Sequence, residues 1–239
     1  MDIVDALDAR RGTTCFVGAG GKKTSMATLA RRLDRAVVTA TVRIPIFDGW
    51  VEEVVVTESP RTAIDGASAW PLGVVPAQER PDRYRGYDPE TVADLADVDH
   101  PILVKADGAR MREFKAPSDR EPQLPSTAST VVPIASVHVV GEPLTDAIVH
   151  RVDEVAAITG LDPGDEIRPQ DVAAVLASDR GGLKDAPADA ATIPLLNMVD
   201  DAALEASARA VAEAIHDRAD VPRVVLAEMR ADDPLVAVV

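Results

Sequence analysis

A short apolar run, Thr13–Val17, leads directly into Gly18-Ala19-Gly20-Gly21 and then into Lys22-Lys23-Thr24-Ser25. The run reads as a buried strand. Met26, Leu29, Ala30 and Leu33 then recur at helical spacing, which predicts a helix over about 24–33 with one buried face. Strand, glycine turn and helix in succession are the beginning of a βαβ unit. Glycine at the turn admits positive φ and close approach of backbone. The helix start adds free N–H groups and roughly half a positive charge, a natural place for an anion. In phosphate-binding loops of this type a lysine meets the terminal phosphates and a neighbouring hydroxyl coordinates Mg²⁺.

Gly18, Ala19, Gly20 and Gly21 are therefore the candidate phosphate cradle for ATP or GTP, followed by Lys22, Lys23, Thr24 and Ser25. The spacing is about two residues shorter than GxxxxGK[ST]. Two assignments stay open. Lys22 directly follows a glycine, with Thr24 or Ser25 supplying the hydroxyl. Alternatively Lys23 is the phosphate lysine and Thr24 holds the metal. The glycine before Lys22 frees its approach and favours the first.

Further apolar runs predict strands at Arg35–Thr39, Glu53–Thr57, Gly73–Pro76, Ile102–Ala106, Thr130–Pro133, Val137–Val140, Thr192–Leu196 and Arg223–Ala227. Pro133 predicts a break or an edge position. Asp88-Pro89 predicts a helix start. Further helices are expected near 144–159, 169–178 and 201–218. The expectation is one α/β domain over 1–239, with a parallel or mixed sheet flanked by helices and a small helical subdomain near 142–190. The loop 108–129 is long enough to be functional.

Charge sharpens this reading. The chain of 239 residues carries a formal net charge of −15, with acids spread along its whole length. Lysine is scarce, which resembles the surface of a halophilic protein. Such a shell argues against nucleic acid or an anionic membrane as a partner. No apolar run approaches a membrane span, and a single cysteine, Cys15, allows no internal disulfide; a soluble cytoplasmic protein is expected. Against the acidic background, residues 10–43 hold eight bases and one acid, Asp34, and Lys105–Arg120 holds five bases and three acids. Two basic islands predict one polyanionic ligand held between them.

Three other places are candidates. Asp107 ends an apolar strand beside Gly108, where a carboxylate suits Mg²⁺. Thr39 and Thr41 lie at the end of the second strand and Arg110 and Lys115 on the long loop, which could close over a ligand. Asn197 and Asp200 are spaced like the guanine-reading element of GTP-binding proteins, with Met198 in place of its lysine.

Phe16–Thr24, Thr39–Thr41, Ile102–Arg110 with Phe114–Pro117 and Arg120–Pro122, and Leu196–Asp200 together resemble the YqeC family. The resemblance implies a P-loop-like nucleotide-binding fold. It also implies an accessory role in maturing selenium-dependent molybdenum hydroxylases or making their selenium cofactor, with a molybdenum hydroxylase or its cofactor as partner. Asp107 and Lys115 are the candidate catalytic residues. Two positions depart from the family pattern. Lys105 stands where glutamate is usual, and Lys23 where the first hydroxyl is usual, so nucleotide binding is expected to be kept and turnover weakened. An ATP-dependent ligase or kinase with a Mur-ligase-like loop, and a chaperone switched by nucleotide, are the alternatives.

Overall fold

Alternation along the first strand sets the two faces of the central sheet. In β1 (Thr13–Gly18), Phe16 packs into one core cluster while Cys15 and Val17 pack into another, as the period of two requires. The computed structural model describes residues 1–239. The chain forms an α/β fold around a mostly parallel sheet with helices on both faces.

In chain order, the elements to the middle of the chain are α1 (Ile3–Ala6), β1, α2 (Lys22–Arg32), β2 (Val37–Ala40), β3 (Ile44–Pro45), β4 (Glu53–Val56), α3 (Pro60–Asp65), β5 (Leu72–Val75), β6 (Ala77–Arg80), β7 (Arg83–Arg85), α4 (Pro89–Ala93) and β8 (Ile102–Lys105). The rest are β9 (Phe114–Lys115), β10 (Thr130–Ser136), β11 (Val149–His150), α5 (Val152–Thr159), α6 (Pro169–Leu176), β12 (Ala191–Thr192), β13 (Leu195–Asn197), α7 (Ala202–His216), β14 (Val225–Ala227) and β15 (Leu235–Val238). The sheet runs β15-β14-β13-β10-β1-β8-β2-β5-β4, with β12 beside β10. Only β15 is antiparallel to its neighbour. One face is covered by α1 and α2, through Ile3, Leu7, Met26 and Leu29. The other is covered by α3 and α4 at one end and by α5–α7 at the other.

Two sequence expectations are corrected. Thr130–Ser136 is one strand through Pro133, and Val137–Val139 is a 3₁₀ turn. The missing N–H is tolerated because β10 changes partner there. Val131 pairs with Thr192 of β12, and Ile134 pairs with Leu195 of β13. Residues 144–151 are turns and β11 rather than helix, so α5 starts only at Val152. Within 142–190, Leu144, Val155, Ile167 and Val172 belong to the same cluster as Val211 of α7 and Leu226 of β14. That segment shares its core with the sheet.

Candidate functional site

The glycine loop joins β1 to α2 at the carboxyl end of the sheet, the end where open α/β sheets place ligands. Gly20 has φ +90°, and a Cβ there would lie 2.2 Å from the Ser136 nitrogen. Gly21 has φ +120°, and its Cβ would lie 2.2 Å from Asn197 Nδ2. Both positions thus demand glycine for conformation and for space.

The free amides are not those the glycines themselves suggest. Gly18 N–H donates to Asp107 Oδ2 (2.8 Å), Ala19 N–H to Ile134 O (2.9 Å) and Gly20 N–H to Arg112 O (3.2 Å). The intrahelical ladder begins with Ser25 N–H donating to Gly21 O (2.9 Å), which leaves the amides of 21–24 as the unpaired donors of the helix start. The free donors thus lie nearer α2 than the expected Gly18–Gly21.

Beneath the loop lies a buried ion network. Asp107 Oδ1 is ion-paired with Lys22 Nζ at 2.8 Å, although it has no hydrogen-bond partner, and Oδ2 is ion-paired with Lys115 Nζ at 2.9 Å. Lys22 Nζ also donates to Gly18 O. Lys115 Nζ reaches Glu121 Oε2 (2.7 Å) and Gly108 O (2.6 Å), and Arg151 pairs with the same Glu121 oxygen at 2.7 Å. Burial works to raise Asp107, but the Lys22 and Lys115 charges outweigh it and hold the carboxyl below its usual range. Burial likewise opposes ionisation of Glu121, and Lys115 and Arg151 reverse the balance.

These pairings place two of the candidate site residues below the loop. The Lys115 side chain is wholly buried and its hydrogens are engaged below the loop, so it is a positioning group and not one that reaches a ligand. Asp107 has each oxygen ion-paired with a lysine, and Oδ1 accepts no hydrogen bond. Three further candidates are similarly engaged. Ser25 Oγ turns back to Gly21 O (3.2 Å), Thr39 Oγ1 donates to Val74 O (2.8 Å), and Thr41 Oγ1 donates to Gln123 O (2.5 Å). Asn197 donates to Gly20 O (2.8 Å) and accepts from Met229 N–H (3.2 Å), so it braces the loop. Asp200 pairs with His138 at 2.9 Å and lies outside the cleft.

Above the loop is a cleft of about 370 Å³, lined by the loop from Ala19 to Thr24, Gly108–Glu113 and Met198 among others. Lys22, Lys23, Arg43, Arg83, Lys105, Arg110, Arg112 and Arg230 line it, against one carboxylate, Glu113. Both predicted basic islands contribute, but only in part. From the first come Lys22, Lys23 and Arg43; Arg10 instead pairs with Asp2 and Asp5 near the N-terminus, and Arg32 binds Asp232 O (2.6 Å). Arg83 and Arg230 lie outside both islands: Arg83 sits with Arg80 and Arg85 among Glu79 and Asp82, and Arg230 is an isolated base near Glu228, Asp232 and Asp233.

Lys105 is 6% exposed and donates to Arg43 O at 2.9 Å, with no carboxylate ion pair. Burial first, and then the Lys22 charge, push it down to about 7. The unfolded chain keeps that proton up to the ordinary lysine range, so between about pH 7 and 10.5 unfolding takes up a proton and stability rises with pH. Lys105→Met is therefore expected to be more stable than the parent at pH 7. The gap should close towards pH 10.5 by at most about 1.4 kcal/mol per pH unit. Urea midpoints of both proteins from pH 6 to 10.5 test this; a gap constant with pH would refute it.

Taken together, the fold and site define an α/β protein with a glycine-loop, cation-lined cleft at the carboxyl end of a mostly parallel sheet. The chain belongs to the YqeC family: the family model, described as YqeC protein, matches residues 14–153. A curated relative, "Uncharacterized protein YqeC" of Escherichia coli (strain K12), is 28% identical over 197 residues, covering 77% of this chain and 75% of that protein. No solved structure matches. No helix is long and apolar enough to cross a membrane.

Proposed function

We propose that the cleft binds a nucleoside triphosphate, ATP or GTP, and that the protein is a nucleotide-binding accessory factor for a molybdenum hydroxylase or its selenium cofactor. The observation that carries the ligand reading is the lining: eight cations to one carboxylate, in a chain with 40 acids and 25 bases. A P-loop-like strand, glycine turn and helix adjoin it, with four free amides at the helix start. The terminal phosphates would lie on the amides of 21–24 with Lys22 and Lys23, and the preceding phosphate near Arg110 and Arg112. The accessory role rests on family likeness alone. A nucleotide-switched binder fits this site better than a ligase or kinase, because Asp107 and Lys115 are locked to each other below the loop.

Calorimetric titration with ATP, GTP, ADP, AMP and adenosine, in high potassium chloride, tests the ligand reading. Affinity is expected to fall with each phosphate removed, by about tenfold for every charge-assisted hydrogen bond that goes with it. Adenosine binding as tightly as ATP would exclude it. Nucleotide-dependent co-purification with a molybdenum hydroxylase tests the partner; capture indifferent to nucleotide would exclude the switch.

A further inference from the structure

The donor set of the cleft does not fit a divalent cation. Mg²⁺ takes oxygen ligands, usually one or two carboxylates beside the phosphates. Here each Asp107 oxygen is ion-paired with a buried lysine, Oδ1 with no hydrogen bond of its own, and Ser25 Oγ faces Gly21 O. Thr24 carries the only hydroxyl among the lining residues and Glu113 the only carboxylate. Nowhere in the chain do three His, Cys, Asp or Glu side chains gather so as to hold a metal ion.

In place of an acid the cleft has a lysine. Lys105 ends β8, in register with Phe16 of β1 on one side and Ala40 of β2 on the other, so it enters at the same edge of the sheet as the glycine loop. Its ammonium is almost fully buried, gives one hydrogen to Arg43 O, and has no ion-pair partner. A buried cation without its counter-charge is costly, and a bound anion supplies that charge.

We propose that this cleft binds its triphosphate without a divalent cation, with the Lys105 ammonium supplying the positive charge that a metal would otherwise bring. The inference rests on the triphosphate reading above. It has a definite sign: Mg²⁺ neutralises part of the ligand's charge, so it weakens binding to a cleft built of cations.

The test is to titrate ATP, GTP and inorganic tripolyphosphate into the full-length protein, in EDTA and in excess Mg²⁺ at equal ionic strength. Binding in EDTA is expected to equal or exceed binding with Mg²⁺. Lys105→Met should bind about tenfold more weakly in EDTA, the worth of one charge-assisted hydrogen bond. Lys105→Glu should bind only when Mg²⁺ is present. A parent protein that binds with Mg²⁺ and weakens about tenfold or more in EDTA overturns the inference while leaving the triphosphate reading intact. Tripolyphosphate binding in EDTA without either nucleotide removes the nucleotide and supports the metal-free seat. Binding of none of the three, in either buffer, overturns both.

Discussion

Asp107→Ala is expected to lower the free energy of unfolding by about 3–5 kcal/mol, the cost of leaving buried charges without their partner. Lys22 and Lys115 both bear on this carboxylate from within the core, and Gly18 N–H donates to it as well. Removing it places two ammonium groups face to face below the glycine loop. Asp107→Asn should cost less, because the amide oxygen still accepts from Gly18. Pairing Asp107→Ala with Lys115→Met should recover part of the loss, since it removes one of the stranded charges. Urea unfolding of the four proteins decides this. A loss under about 1 kcal/mol for the alanine variant would show that the network is solvated and not a buried support. The sign with pH follows from the lowered pKa: this stabilisation is present above the usual aspartate range and is lost as pH falls through the folded value.

Lys22→Met is expected to cost both ligand binding and folding stability, because Lys22 Nζ is buried against Asp107 Oδ1 and Gly18 O. The folding loss should be smaller than for Asp107→Ala, because Asp107 keeps Lys115 and Gly18 N–H on its other oxygen. The cleft, however, loses the lysine that sits at the first turn of α2 directly after Gly21. We expect triphosphate affinity to fall by about tenfold to a hundredfold, the range for a hydrogen bond to a charged group. Lys23→Met, at the rim of the same cleft, should fall less, because partly exposed charges are screened. Equal losses in the two variants, or a larger one at Lys23, would assign the phosphate to Lys23 instead. Parallel titrations with tripolyphosphate, alongside melting temperatures, separate weaker binding from unfolding.

The sequence expectations succeeded where structure is local. Thr13–Val17 is apolar and short, Gly20 and Gly21 have positive φ, and α2 buries Met26 and Leu29 as the spacing predicts. They failed at Pro133, because a proline breaks a strand only if its N–H is needed, and the hand-over from β12 to β13 removes the need. The three-stranded sheet of β3, β6 and β7 was invisible, since its strands are two to four residues long and mostly polar. Asn197, Thr39 and Thr41 looked like ligand groups because their residue types and strand-end positions suit that role. Their actual partners are backbone atoms far away in the chain.

The sequence alone thus determined the strand, glycine turn and helix, the parallel α/β architecture and the existence of two basic segments, because hydrophobic period, glycine conformation and charge are properties of neighbours. Only the tertiary structure decided which charges meet. The order β10-β1-β8-β2 sets Asp107 beneath the loop between Lys22 and Lys115, and leaves Lys105 facing the cleft without a carboxylate. The fold also brings Arg83, from β7 of the small three-stranded sheet, and Arg230, from the loop between β14 and β15, to the same cleft. Burial and pairing are long-range quantities: they tie Lys22 and Lys115 to Asp107 and leave Lys105 at the cleft without a carboxylate.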